Sequence, residues 1–110
     1  MENKIELICK TLTEKLAEDV TVIDFDMQNA LTDYFIIATA KNYRHGSSLV
    51  DFVDEALFNA GYEVSSIEKS KESGWFVMDY KDVVVHIFLE EDREKYNLER
   101  LWQDFHTTKM

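Results

Sequence analysis

Residues 75–88 read WFVMDYKDVVVHIF, two apolar runs on either side of a charged knot. β-Branched and aromatic residues dominate both runs and the polar DYKD between them is short, so the stretch predicts an antiparallel hairpin. Side chains alternate along a strand, which makes the parity of the loop decisive. With an even loop, either Lys81-Asp82 or residues 79–82, Phe76, Met78, Val83, Val85 and Ile87 fall on one face. Trp75, Val77, Val84, His86 and Phe88 then fall on the other, with Asp79 at its rim. An odd loop would break this sorting. The first face is uniformly apolar and should meet a helix. The second joins large apolar groups to a carboxylate and an imidazole. A histidine in an apolar strand is ordinarily a hydrogen-bonded structural residue. A tryptophan on the same face supplies the contact area that recognition surfaces use.

Upstream of the hairpin, Ile5, Ile8, Cys9, Leu12 and Leu16 recur at helical spacing from residue 4 to about 17, and Asn3 with Glu6 forms an N-terminal capping pair. Residues 20–25 (VTVIDF) read as a strand, followed by turn chemistry in MQNALTD. Residues 34–40 (YFIIATA) are apolar at both alternating sets of positions, the pattern of an interior strand covered on each face. Leu49, Phe52, Val53, Ala56, Leu57 and Ala60 make the stripe of a second helix, which Gly61 is placed to end in a left-handed conformation. Residues 62–67 give a weaker strand and EKSKESG a connection. After the hairpin, EEDREKY suits a short helix, and Leu98, Leu101, Trp102 and Phe105 mark a last helix that Asn97 can cap. The order α-β-β-α-β-β-β-α predicts one α/β domain: a mixed, five-stranded sheet flanked by helices, spanning residues 1–110.

With 110 residues and 45% hydrophobic content, the chain is the size of one ordinary domain with a real core. Twelve Lys and Arg against 22 Asp and Glu give a net charge of -10, which disfavours a bare phosphate backbone as main partner and favours a basic protein surface. One cysteine, Cys9, cannot close an intrachain disulfide. No signal-peptide pattern, presequence or stretch of about 20 apolar residues is visible, so the expected compartment is the cytoplasm, with no membrane partner.

Motifs for chemistry are sparse. Asp24-Phe25-Asp26 is a D-x-D on a strand, a spacing that can hold a divalent cation for phosphoryl transfer. A nucleotidyltransferase would also need a preceding Gly-Ser turn, yet Gly46-Ser47 lies after these acids, at a helix start. His45, His86, His106 and Cys9 have no close metal-ligand spacing, and Cys9 sits on an apolar stripe where thiols pack. No phosphate-binding loop or nucleophile elbow occurs. No cofactor, metal or catalytic residue is therefore expected; the rival reading is a small metal-dependent nucleotidyltransferase using Asp24 and Asp26.

Three stretches, TDYFIIATA (32–40), GWFVMDYKDVVVHIF (74–88) and YNLERLW (96–102), together resemble the ribosomal silencing factor family, RsfS, also called Iojap. The resemblance implies a nucleotidyltransferase-like topology without its catalytic carboxylates. It implies a protein that binds the large ribosomal subunit through ribosomal protein L-fourteen and sterically blocks subunit joining, repressing translation. Carried over position by position, the partner surface falls on Trp75, Asp79, Tyr80, Asp82 and His86. Lys81 stands where the family often has Gly, and Ala40, Tyr43, His45 and Gly46-Ser47-Ser48 depart from its pattern at the second helix start. An exposed Trp75 would also allow two free copies to pair as a homodimer.

Overall fold

The structure, a computed structural model, describes residues 3–25, 32–97, 100 and 106–109. Its elements are α1 (Lys4–Glu14), β1 (Glu18–Asp24), β2 (Tyr34–Ala40), α2 (Tyr43–Asn59), β3 (Ser66–Ser70), β4 (Trp75–Asp79), β5 (Val83–Leu89), α3 (Glu90–Tyr96) and β6 (His106–Lys109). Six strands, rather than five, form one mixed sheet in the order β3-β4-β5-β2-β1-β6. β2 and β5 run parallel, and every other neighbouring pair is antiparallel. The interior position of β2 agrees with its apolar character on both faces.

Both helices of the first layer begin as their sequences dictate. Asn3 Oδ1 accepts from Glu6 N at 2.8 Å, and Asn42 Oδ1 accepts from His45 N at 2.8 Å, satisfying N–H groups that a helix start leaves free. Gly61, at φ 93°, ends α2, and Tyr62 N then donates to Leu57 O at 2.8 Å. α1 ends the same way but earlier than its stripe suggests. Leu16 adopts φ 69° and Ala17 N donates to Leu12 O at 2.9 Å, so Leu16 lies past the helix, 65% exposed, and not on the buried stripe.

α1 and α2 pack on one face of the sheet. Ile8, Leu12, Leu49, Val53 and Leu57 meet Ile36, Phe76, Met78, Val85 and Ile87, all fully buried. Removing one such side chain from water is worth about 1.5–3 kcal/mol, so this layer is the main source of stability. Gly46 lies in the first turns of α2 because the Phe76 ring occupies the space a Cβ would need. A smaller cluster on the opposite face joins Ile23, Phe25, Ile37 and Phe88, with Phe35, Trp75 and Tyr96 packed against it.

Two strands lie where the sequence did not place them. The weak strand expected at 62–67 is β3 at Ser66–Ser70, so part of EKSKESG is sheet and only residues 71–74 turn. β6 is the sixth strand, pairing antiparallel with β1 from Asp24↔His106 to Thr21↔Lys109. Both are edge strands held by backbone pairing, with no apolar alternation to announce them. Leu98, Leu101, Trp102 and Phe105, expected to mark a last helix, lie outside the described residues; Asn97 Oδ1 does accept from Arg100 N at 3.3 Å.

Candidate functional site

The hairpin closes on the two-residue loop Lys81-Asp82. Its register, Trp75↔Phe88 through Asp79↔Val84, sorts side chains as the even loop requires. Tyr80 N donates to Val83 O at 2.9 Å. Asp82 N reaches back to Tyr80 O at 3.0 Å across Lys81, whose φ of 74° is one that L residues adopt at a penalty. Asp79 Oδ1 accepts from Lys81 N at 2.7 Å and fixes the turn.

Of the five expected recognition residues, the structure brings Trp75, Asp79 and His86 to one face. Trp75 and Asp79 stand at opposite ends of β4, roughly 13 Å apart along a strand. Trp75 is half-buried, and its Nε1 donates to His86 Nδ1 at 3.0 Å. Its ring lies 5.0 Å from Phe88 and 4.7 Å from Tyr96, centroid to centroid. His86 is only 6% exposed, with its ring 4.4 Å from that of Phe35. An indole N–H only donates, so Nδ1 must carry its lone pair and the neutral imidazole holds its proton on Nε2. That Nε2 is buried without a hydrogen-bond partner among the described residues. Burial lowers the His86 pKa to about 4, so the ring is neutral at pH 7.

Tyr80 and Asp82 belong elsewhere. Tyr80 is 2% exposed in the core under the helices, and its hydroxyl is buried without a hydrogen-bond partner among the described residues. Burial first, and then the Asp54 carboxylate, push its phenol well above the ordinary value. Asp82 turns to α1, where its Oδ1 meets Lys4 Nζ at 2.7 Å, while its carbonyl accepts from Asp33 N and Tyr34 N at 3.0 and 3.1 Å. The turn is thereby braced against both α1 and the start of β2.

Three residues that the sequence did not single out complete the face. Arg93 of α3 donates from Nη1 to Asp19 O at 2.6 Å and Thr39 Oγ1 at 2.8 Å, and from Nη2 to Thr21 Oγ1 at 3.1 Å. Asp19 offers that carbonyl from a register shift in β1, where its φ is 49°. These bonds hold α3 on the sheet and so hold Tyr96 against Trp75. Phe35 closes the far side of His86. The one available signal was a single arginine inside an otherwise acidic EEDREKY.

Asp24, at the end of β1, is paired with Tyr34 and His106, and Asp26 lies outside the described residues. Among the described residues no group of three or more His, Cys, Asp or Glu is arranged to hold a metal ion. Cys9 is 2% exposed, with its pKa pushed up to about 11 by burial, which suits a packed thiol and not a nucleophile. Among the described residues no helix is long and apolar enough to cross a membrane.

A six-stranded mixed sheet with helices on both faces, an aromatic strip half open to solvent and a braced hairpin turn define a small α/β domain. A family model described as "Ribosomal silencing factor during starvation" matches residues 1–110, and the chain belongs to that family, RsfS. It is 29% identical to the ribosomal silencing factor RsfS of Bacillus subtilis over 91% of this chain and 85% of the relative. It is also 29% identical to a mouse protein named "Mitochondrial assembly of ribosomal large subunit protein 1", over 89% of this chain and 44% of that one. A crystal structure of a Chromobacterium violaceum protein superposes with a TM-score of 0.86 at 28% identity, covering 94% of this chain and 88% of the other. Family membership supports a ribosomal silencing role, and ribosome association and repression of translation fit the family's name.

Proposed function

We propose that this chain binds the large ribosomal subunit through ribosomal protein L-fourteen and, by occupying that surface, blocks joining of the small subunit. No bond is made or broken. The observation that carries the reading is Trp75: a half-buried indole locked by His86, Phe88 and Tyr96, on a face ending in the Asp79 carboxylate. Such a ring offers contact area without losing rotamer freedom on binding, and the acid complements a basic partner. The chain's charge of -10 favours a ribosomal protein over direct nucleic-acid contact. The name of the mouse relative, an assembly protein of the large subunit, supports that subunit as the target. The mixed sheet supports a nucleotidyltransferase-like topology put to binding. The aromatic strip is also the surface through which two free copies would pair.

Subunit joining followed by light scattering tests this. Trp75→Ala should weaken large-subunit binding by about 2 kcal/mol or more, as loss of an aromatic anchor commonly does. Asp79→Lys should weaken it through repulsion. If both variants, shown folded by circular dichroism, still block joining as well as the parent, the recognition surface lies elsewhere.

A further inference from the structure

Beside Trp75 the face continues into a cleft of about 230 Å³ lined by Glu68, Ser70, Ser73, Trp75 and Val77. The register explains the grouping: Glu68 stands across from Val77 and Ser70 across from Trp75, so the four side chains rise from the same side of the sheet. The indole N–H is already taken by His86, and Ser70 Oγ accepts from Ser73 N at 3.2 Å with one lone pair to spare, so the cleft offers a carboxylate, serine oxygens and an aromatic wall. Cations near this hairpin are engaged elsewhere. Lys69 Nζ bonds Ser47 Oγ at 2.8 Å and Asp51 Oδ1 at 3.1 Å on α2. Lys71 lies over the Tyr43 ring and Lys95 over that of Tyr96. Among the described residues, no lysine or arginine pairs with the Glu68 carboxylate.

We propose that this cleft seats one arginine side chain of a basic partner protein, its guanidinium flat against Trp75 and paired with Glu68. The inference deepens the function proposed above and rests on it. Charge and shape select the occupant. A carboxylate beside an indole attracts a cation, and the net charge of -10 raises the local preference for one. A planar guanidinium can stack on the indole while its forked N–H groups reach both the carboxylate and the serine hydroxyls. A compact ammonium cannot do both. The cleft lies toward the edge strand β3, so a side chain on a docked surface has open access.

The probe is acetyl-arginine amide at millimolar concentration, followed by ¹⁵N NMR of the Trp75 indole and the Glu68 amide. The uncharged isostere acetyl-citrulline amide and acetyl-lysine amide serve as controls. The arginine derivative should shift both signals, the controls should shift them much less, and Glu68→Gln should remove the difference. On the intact large subunit, Glu68→Gln should weaken binding roughly tenfold and Glu68→Lys further. Glu68 is exposed on an edge strand, so both variants should fold. Equal shifts with citrulline or lysine, or undiminished subunit binding by Glu68→Gln, overturn the arginine seat. If Trp75→Ala still weakens subunit binding in that case, the proposed function stands and only the seat falls. If Trp75→Ala binds normally as well, both fall.

Discussion

His86 is only 6% exposed, so in the function proposed above its part is to hold the Trp75 indole in place. Its folded-state pKa of about 4 lies below the ordinary 6.5. The unfolded chain therefore binds the proton more readily, and the stability present above pH 6.5 is lost as pH falls through 4. A depression of that size corresponds to about 3 kcal/mol. His86→Phe keeps a ring but leaves the indole N–H without its acceptor, and should be less stable than the parent at pH 7 by about 1 kcal/mol. Lacking the titrating group, it should overtake the parent before pH 4. Denaturant unfolding from pH 7 to 4 reads the crossing, and parallel curves would refute it. His86→Asn, which can place an oxygen where Nδ1 stands, should restore the Trp75 indole signal. Tyr80 gives the opposite expectation. Its hydroxyl is buried without a described partner, so Tyr80→Phe should leave stability unchanged or raised, and should leave the block of subunit joining intact. Loss of binding by a folded Tyr80→Phe would return the residue to the contact surface. The alternation that sends Phe76 and Met78 to the helix side sends Tyr80 there too, so its place was legible in the sequence. The burial of His86 was not, because Phe35 and Tyr96 reach this face from distant segments.

Among the elements, those with a buried face were legible and those defined by pairing alone were not. The hairpin register, the interior β2 and the start of α1 follow from alternation, apolar content and a cap, whereas α2 begins at Tyr43 under an Asn42 cap, ahead of the helix start expected at Gly46-Ser47. β3 and β6 present polar residues at the sheet edges, where nothing in a local window distinguishes strand from loop. α3 is the case with consequences for function. It is seven residues long and fully buries no residue, so hydrogen bonds from Arg93, together with the half-buried Tyr96 ring, hold it on the sheet. Arg93→Met should strand the buried Thr39 hydroxyl, leave the Thr21 hydroxyl with only its bond to Asp19 O, and lower stability by about 1–3 kcal/mol. Tyr96 would loosen from Trp75, so Trp75 emission, measured with Trp102 replaced by Phe, should shift to the red. Amide exchange over residues 90–96 should quicken as well. Unchanged emission and exchange would show that α3 is held by something other than its arginine. Arg93→Lys should recover little, because one ammonium cannot span a carbonyl and two hydroxyls.

At the scale of the whole molecule, the excess of acids was legible from composition, and its consequence is kinetic before it is energetic. Charges spread over a surface add little to a docked interface, since each is screened beyond about 10 Å at ordinary salt. Their summed field nevertheless draws a basic surface into encounter. For a net charge of -10 and the function proposed above, the association rate with the large subunit should fall steeply as salt rises, while the dissociation rate, which that proposal assigns to the aromatic strip, should change little. Asp79→Lys changes the charge by two units at the rim of that strip and should flatten the salt dependence of association. An equal reversal at Glu55, exposed on α2 on the helical side, should alter it less. Stopped-flow mixing with large subunits across a salt series separates the two rates. Should association prove indifferent to salt, or should Glu55→Lys flatten it as much as Asp79→Lys, the acidic balance would be a matter of solubility, and recognition would rest on the shape of the Trp75 face alone.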